Sequence, residues 1–381
     1  MTAYGDLAFF AFFALLAAPA VVLGLLGRRL RHYGMAATVI GLAVLLLPSP
    51  RQLILLLAFL VGELAVAKVH LWYITRHGNK NLWERRAAVL AALVPLIIVK
   101  LSGMFSFPSL GFIGVSYLTF RAVQVIVETS DKLITEIRTA DYLYFIAFFP
   151  TLSSGPIDRS RRFNQDLERR YEPGEYRFLL GRGLWYLVLG GAYKFAFATL
   201  FASWLAQVGD GAVDQIAYMY LYGFQLFFDF AGYSLMAVGA SHIFGIRTPL
   251  NFRLPFVSES IKDFWNRWHI TLSFWFRDYV YTRLFMAFLK RKIFADRIRA
   301  SHVALVVNMG AMGLWHGTTL HYILYGLYHG VLLVLTEIYE RRSTFFAKHR
   351  NATWYRVLAI IVTFHLVFFG FLLFSGHLVR I

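Results

Sequence analysis

Two histidines sit where an ionisable ring is costly. His316 lies in NMGAMGLWHGTT (308–319), an apolar, glycine-studded run, and His269 closes DFWNRWH (263–269). Histidine titrates nearest neutral pH, and burial lowers its proton affinity. A neutral ring in a narrow cavity can therefore take the proton of a hydroxyl as it attacks a carbonyl, assistance that contributes about 10²- to 10⁴-fold. Gly313 and Gly317 beside His316 permit close backbone approach, either by a substrate or by another helix. Trp265, Trp268 and His269 stand at i, i+3 and i+4, which on a helix makes one aromatic face ending in the ring, with Asn266 and Arg267 pointing elsewhere. His269 is then either an interfacial residue or part of the chemistry. Asp229, in FQLFFDFAGYS, is a carboxylate inside an apolar run; it must pair or line a wet space, as an anchor between helices or as support for a site.

Other chemistries find less support. His321 and His329 follow His316, but their spacing does not give the i, i+4 pair of a zinc helix and no carboxylate intervenes before Glu337, so no metal site is expected. There is no glycine-rich phosphate loop. Ser154, in SSGP, lacks the spacing of a hydrolase elbow. The chain has no cysteine, which removes disulfides, thiolate ligands and a cysteine acyl-enzyme together.

The elements that must position these residues are membrane elements. Of 381 residues, 58% are hydrophobic and 15% charged, against roughly a quarter charged in a soluble domain, and the mean hydropathy is positive. The composition implies an all-α polytopic membrane protein. Leu7–Leu26 carries no lysine or arginine before it, and its first basic cluster (Arg28, Arg29, Arg31) follows it, so it reads as a retained span with its N-terminus outside. Apolar runs near 35–47, 52–74, 87–105 and 110–128 alternate between loops poor in positive charge (48–50 and 106–109) and a basic one at 75–86. Residues 141–152, DYLYFIAFFPTL, have basic flanks on both sides and are too few to cross about 30 Å of hydrocarbon, so a re-entrant segment sheltered by other helices is expected. Spans follow at 182–206 and 216–244, with further apolar runs at 302–316, 320–340 and 354–374, giving roughly ten or eleven. One domain is expected over 1–381: N-terminal spans in 1–140, core motifs in 141–335 and a last span in 336–381.

Residues 247–300 differ in kind, mixing aromatics with many arginines and lysines, and are expected to form short amphipathic helices at the cytoplasmic face. The net charge of +17 follows mainly from positive-inside loops rather than from nucleic-acid binding. The density at 283–299, including LKRKIF, exceeds what orientation needs and suits an acidic soluble partner or anionic lipid headgroups.

DFWNRWHITLSFWFRDYVY, followed after a basic gap by MGLWHGTTLHYILYGLYHG, resembles the membrane-bound O-acyltransferase family, whose two signature histidines match His269 and His316. FPTLSSGPIDRSRRF and FDFAGYSLMAVGASHIFGIRTPLNF are similar to the branch that D-alanylates teichoic acids. TRLFMAFLKRK after RDYVY lacks the PLGG of the alginate branch. The match is close over 140–335. The resemblance implies a ring of helices around a funnel with His316 at its floor, in a bacterial cytoplasmic membrane. It implies a D-alanyl thioester on the phosphopantetheine arm of an acidic carrier protein, with no cofactor held by the chain itself. His316 would act as general base and His269 would orient the donor or line its tunnel, with Asp229, Trp265, Asn266, Trp268 and Trp315 supporting it. Phe285, Lys290, Arg291, Lys292 and Arg297 would dock the carrier. The acceptor would be a teichoic acid or a relay partner, with a serine-esterase-like membrane protein and a small membrane peptide as further partners. An O-acetyltransferase of another cell-surface polysaccharide is the near alternative. A polytopic transporter would also explain the spans, but no duplicated half is visible.

Overall fold

The computed structural model describes residues 2–78, 81–102, 111–209 and 211–379, and no strand occurs among them. A medium without water leaves a spanning backbone only the helix or the closed barrel, and the helix pairs its N–H and C=O groups within one segment. Two compact units are present, residues 1–191 with 233–249, and residues 192–232 with 250–381.

The first unit contains α1 (Leu7–Leu25), α2 (Arg31–Leu46), α3 (Pro50–His77), α4 (Leu82–Ser102), α5 (Val115–Ser130), α6 (Thr139–Ala147), α7 (Ser160–Glu168) and α8 (Pro173–Gly191). The Asp6 carboxylate caps α1 by accepting from the Phe9 N–H at 2.8 Å, and Pro50 opens α3 at a position where no N–H is needed. The loop expected at 106–109, and the end of the run expected at 87–105, lie outside the described residues.

A π-helical segment, Ala192–Phe197, links α8 to α9 (Ala198–Leu205), so that helix runs from Pro173 to Leu205. After it come α10 (Ala212–Ile243), α11 (Ile261–Trp265), α12 (Ile270–Phe276), α13 (Thr282–Lys290), α14 (Arg297–His316), α15 (Leu320–Arg342), α16 (Thr344–His349) and α17 (Thr353–Ser375). Among the described residues six helices are long and apolar enough to cross a membrane: α1, α3, Pro173–Leu205, α10, α15 and α17. The other expected spans are helices too, but α2 and α5 have 16 residues each, about 24 Å of rise against a core of about 30 Å. The chain is an all-α, multi-pass membrane protein.

The stretch expected to be re-entrant folds as α6, nine residues long, followed at Phe149–Thr151 by a single tight turn around Pro150. Breaking a helix here frees carbonyls that lipid cannot satisfy. Arg121 of α5, 1% exposed, supplies the donors: its guanidinium reaches the Phe145 and Ile146 carbonyls at 3.1 and 3.0 Å and the Thr151 carbonyl at 2.9 Å. Around it Phe145, Phe148 and Tyr144 each meet the Phe163 ring edge-on at centroid distances of 5.2 to 5.4 Å.

Arg121→Leu strands three buried carbonyls at once, each worth about 1–3 kcal/mol when unpaired. The variant should lose about 3 kcal/mol or more of stability, read as a lower melting temperature of the purified protein in detergent; a melting curve matching the parent would refute this role.

Candidate active site

In the second unit, α14 is the backbone of the site. It starts at Asp296, whose carboxylate accepts from the Ile298 N–H at 2.9 Å, and ends at His316, where Gly317 closes the last turn by donating to the Gly313 carbonyl at 3.2 Å. Its C-terminal half lies hard against α15. A Cβ at Gly313 would come within 2.4 Å of the Tyr322 carbonyl, and one at Gly326 within 2.4 Å of the Met309 carbonyl. Gly313 thus serves helix packing, which decides between the two roles open to it from sequence.

His316 is half-buried among aromatic rings, with Trp315 at 4.6 Å, Phe374 at 5.0 Å, Tyr322 at 6.0 Å and Tyr325 at 6.2 Å between centroids. Trp315 also lies 6.4 Å from the His269 ring, so one indole neighbours both imidazoles. His269 is 3% exposed and faces Phe230 edge-on at 4.7 Å. It lies outside the six spanning helices; burial first, and then the nearby His316, hold its imidazole well below the ordinary histidine range. His269 is therefore neutral at physiological pH.

The expected single helical face through Trp265, Trp268 and His269 does not form. Helix α11 stops at Trp265, and His269 takes a left-handed conformation, φ +43°, before α12 begins. The turn is fixed from outside: the Ile270 N–H donates to the Asn251 carbonyl at 2.9 Å and the Thr271 hydroxyl to Asn251 Oδ1 at 2.6 Å. A side chain twenty residues away in sequence outweighs the helical spacing, at the cost of a backbone conformation unfavourable to any residue but glycine. Trp268 is nonetheless buried, packed on Phe264 at 5.5 Å and Phe371 at 4.8 Å.

A cavity of about 660 Å³ runs beside α14. Cations stand at it, Arg297, Arg277, Arg341 and Lys262, together with Phe285, over which the Arg297 guanidinium sits at 5.7 Å. Its apolar wall includes Leu305, Met309 and Met312, and Met312 is one turn short of His316. Of the residues expected to dock a partner, Phe285 and Arg297 line this cavity, whereas Lys290, at the end of α13, and Arg291 and Lys292, in the turn that follows it, are exposed. The stretch expected to form short amphipathic helices does contain short helices, α11, α12, a π-helical turn at Arg277–Tyr281, and α13.

Of the expected supporting residues, Trp265 and Asn266 line the cavity. Asp229 does not; it pairs with Lys194 of the π-helical segment at 2.5 Å, the interhelical anchor that a carboxylate in an apolar run requires. Among the described residues no three histidine, aspartate or glutamate side chains come together as a metal site. Sequence reasoning did not single out Asn308, Ser301 or Tyr281, all on the cavity wall. Asn308 carried a usable signal, a carboxamide inside the apolar stretch VALVVNMG.

The profile described as MBOAT, membrane-bound O-acyltransferase family, matches residues 115–375. Over 99% of its length the chain is 40% identical to the teichoic acid D-alanyltransferase of Bacillus subtilis, covering 98% of that protein. It is 39% identical to the enzyme of the same name from Streptococcus thermophilus, over 86% of this chain and 83% of that one. The probable alginate O-acetylase AlgI of Pseudomonas syringae is 31% identical over 70% of this chain, which spans 49% of that protein. With helices, paired histidines and cavity arranged as described, and with this similarity along nearly its whole length, the chain belongs to the membrane-bound O-acyltransferase family and is an acyltransferase of the bacterial membrane.

Proposed function

We propose that the protein transfers D-alanine from a phosphopantetheinyl thioester on a cytoplasmic carrier protein to an extracytoplasmic hydroxyl of teichoic acid, directly or through a relay partner. The similarity to teichoic acid D-alanyltransferases over nearly the entire chain supports the substrate class. The observation that carries the mechanism is the layout of α14. Cations at the Arg297 end of the helix, a cavity that follows it as far as Met312, and the His316 imidazole one turn further on support a donor that enters at Arg297 and reacts at His316, although neither histidine lines the cavity itself.

In this mechanism the His316 ring accepts the proton of the acceptor hydroxyl as its oxygen attacks the thioester carbonyl. The C–S bond breaks, an ester C–O bond forms, and the thiolate takes the proton from the imidazolium. Thiolate is a competent leaving group near neutral pH, so no separate strong acid is required. Neutral, buried His269 lines the donor side, and the shared Trp315 holds the two rings in register. The exposed Lys290, Arg291 and Lys292 with Arg297 attract an acidic carrier, and the half-buried Phe285 supplies the apolar part of the contact.

Purified protein incubated with carrier loaded with labelled D-alanine tests this reading directly: label should leave the carrier and appear on a hydroxyl acceptor. His316→Gln should slow transfer by about 10²- to 10⁴-fold with carrier binding intact; retention of full activity would overturn the assignment. Exchanging Lys290, Arg291 and Lys292 for glutamate should weaken carrier binding, most at low ionic strength, and a salt-independent, unchanged affinity would remove the docking role. In the unfolded chain His269 titrates near about pH 6.5. The folded state takes up that proton only at lower pH, so acidification below this value costs stability. His269→Gln should therefore flatten the decline in melting temperature between about pH 7 and 5, and an unaltered slope would contradict a neutral ring.

A further inference from the structure

The cavity beside α14 is apolar along most of its wall, yet two of its polar side chains are left over. Asn308 is 6% exposed, and its Oδ1 has no hydrogen-bond partner in the protein; its Nδ2 approaches only the Met309 sulfur, at 4.0 Å. Trp265 is 8% exposed, and its Nε1–H likewise has none. By contrast the cavity's hydroxyls are satisfied, with Tyr281 and Ser301 bonded to each other at 2.9 Å. Leaving a buried acceptor or donor unpaired destabilises a fold by about 1–3 kcal/mol each, so two on one cavity wall call for a ligand that completes them.

We propose that Trp265 and Asn308 form a station that reads an amide group of the donor arm. The inference rests on the proposed reading that the donor is carried by a pantetheine arm, and deepens it. A carboxamide both donates and accepts, and an indole only donates. The complementary group must therefore offer a donor for Asn308 Oδ1 and a carbonyl for the indole N–H. A secondary amide presents both on one rigid plane, whereas an ester or a plain acyl chain lacks the N–H. Placement fits a ruler as well as a clamp. Asn308 lies about 16 Å of helical rise beyond Arg297 and about 12 Å before His316. An amide seated there fixes how far a linear arm extends from its charged end toward the imidazole. His329, packed edge-on against Trp265 at 5.2 Å, holds the indole in place.

The test is a binding measurement on the purified full-length protein, separate from transfer. S-methyl-pantetheine and an analogue with both amides replaced by esters serve as probes. The parent should prefer the amide probe by about tenfold or more, which is the worth of one good hydrogen bond. Asn308→Leu should abolish the preference and leave affinity for the ester probe unchanged, while Trp265→Phe should weaken both probes about equally, since each keeps a carbonyl for the indole N–H. Because Asn308→Leu removes a buried unpaired group, its melting temperature should equal or exceed the parent's. Equal affinity of the parent for both probes, a preference surviving Asn308→Leu, or unchanged affinities in Trp265→Phe would overturn the proposal. Failure of the D-alanine transfer assay alongside intact amide preference would overturn the assigned reaction and leave this station standing.

Discussion

The solvent sets the terms for this molecule. Hydrocarbon offers neither donors nor acceptors, so every polar group at membrane depth must find its partner inside the protein. The broken helix around Pro150 exists because Arg121 spends its guanidinium on the carbonyls of Phe145, Ile146 and Thr151. Asp229 is tolerated in an aromatic run because Lys194 meets it from the π-helical segment. Against this background of pairing, the leftover carboxamide of Asn308 and indole N–H of Trp265 stand out, since both lie on a cavity wall rather than in a packed core.

The site depends on one helix being held rigidly. His316 is the last residue of α14, where a helix would ordinarily fray. Contact between α14 and α15, so close that neither Gly313 nor Gly326 has room for a methyl group, removes that freedom. Four aromatic rings then fill the space around the imidazole, and Trp315 extends the same packing to His269. The general base proposed here must keep its orientation through the reaction, and interlocked rings would provide this. His269 is fixed differently, by a strained left-handed turn that Asn251 braces from a neighbouring segment.

Much of this was legible in the residues. Missing charge announced the membrane, and the shortness of 141–152 together with Pro150 announced a short, broken helix. Both are local matters of solvation and length. The pairing demanded of Asp229 could be foreseen, but its partner could not, because Lys194 lies 35 residues away. The helical face drawn through Trp265, Trp268 and His269 failed for the same reason: spacing describes what a helix would do, and Asn251 decides that no helix passes there. Asn308 went unremarked because one polar residue in an apolar run acquires meaning only when its neighbours leave it unpaired.

The sequence by itself determined the solvent, the helical class, the two histidines and the basic stretch beside them, since each follows from residue types and near neighbours along the chain. Tertiary structure alone decided that His316 and His269 share an indole, that Phe285 and Arg297 face a cavity while Lys290, Arg291 and Lys292 remain exposed, and that Gly313 packs a helix. These are contacts between residues distant along the chain. They are set by which surfaces interlock most closely once water is excluded, and no local pattern encodes that choice.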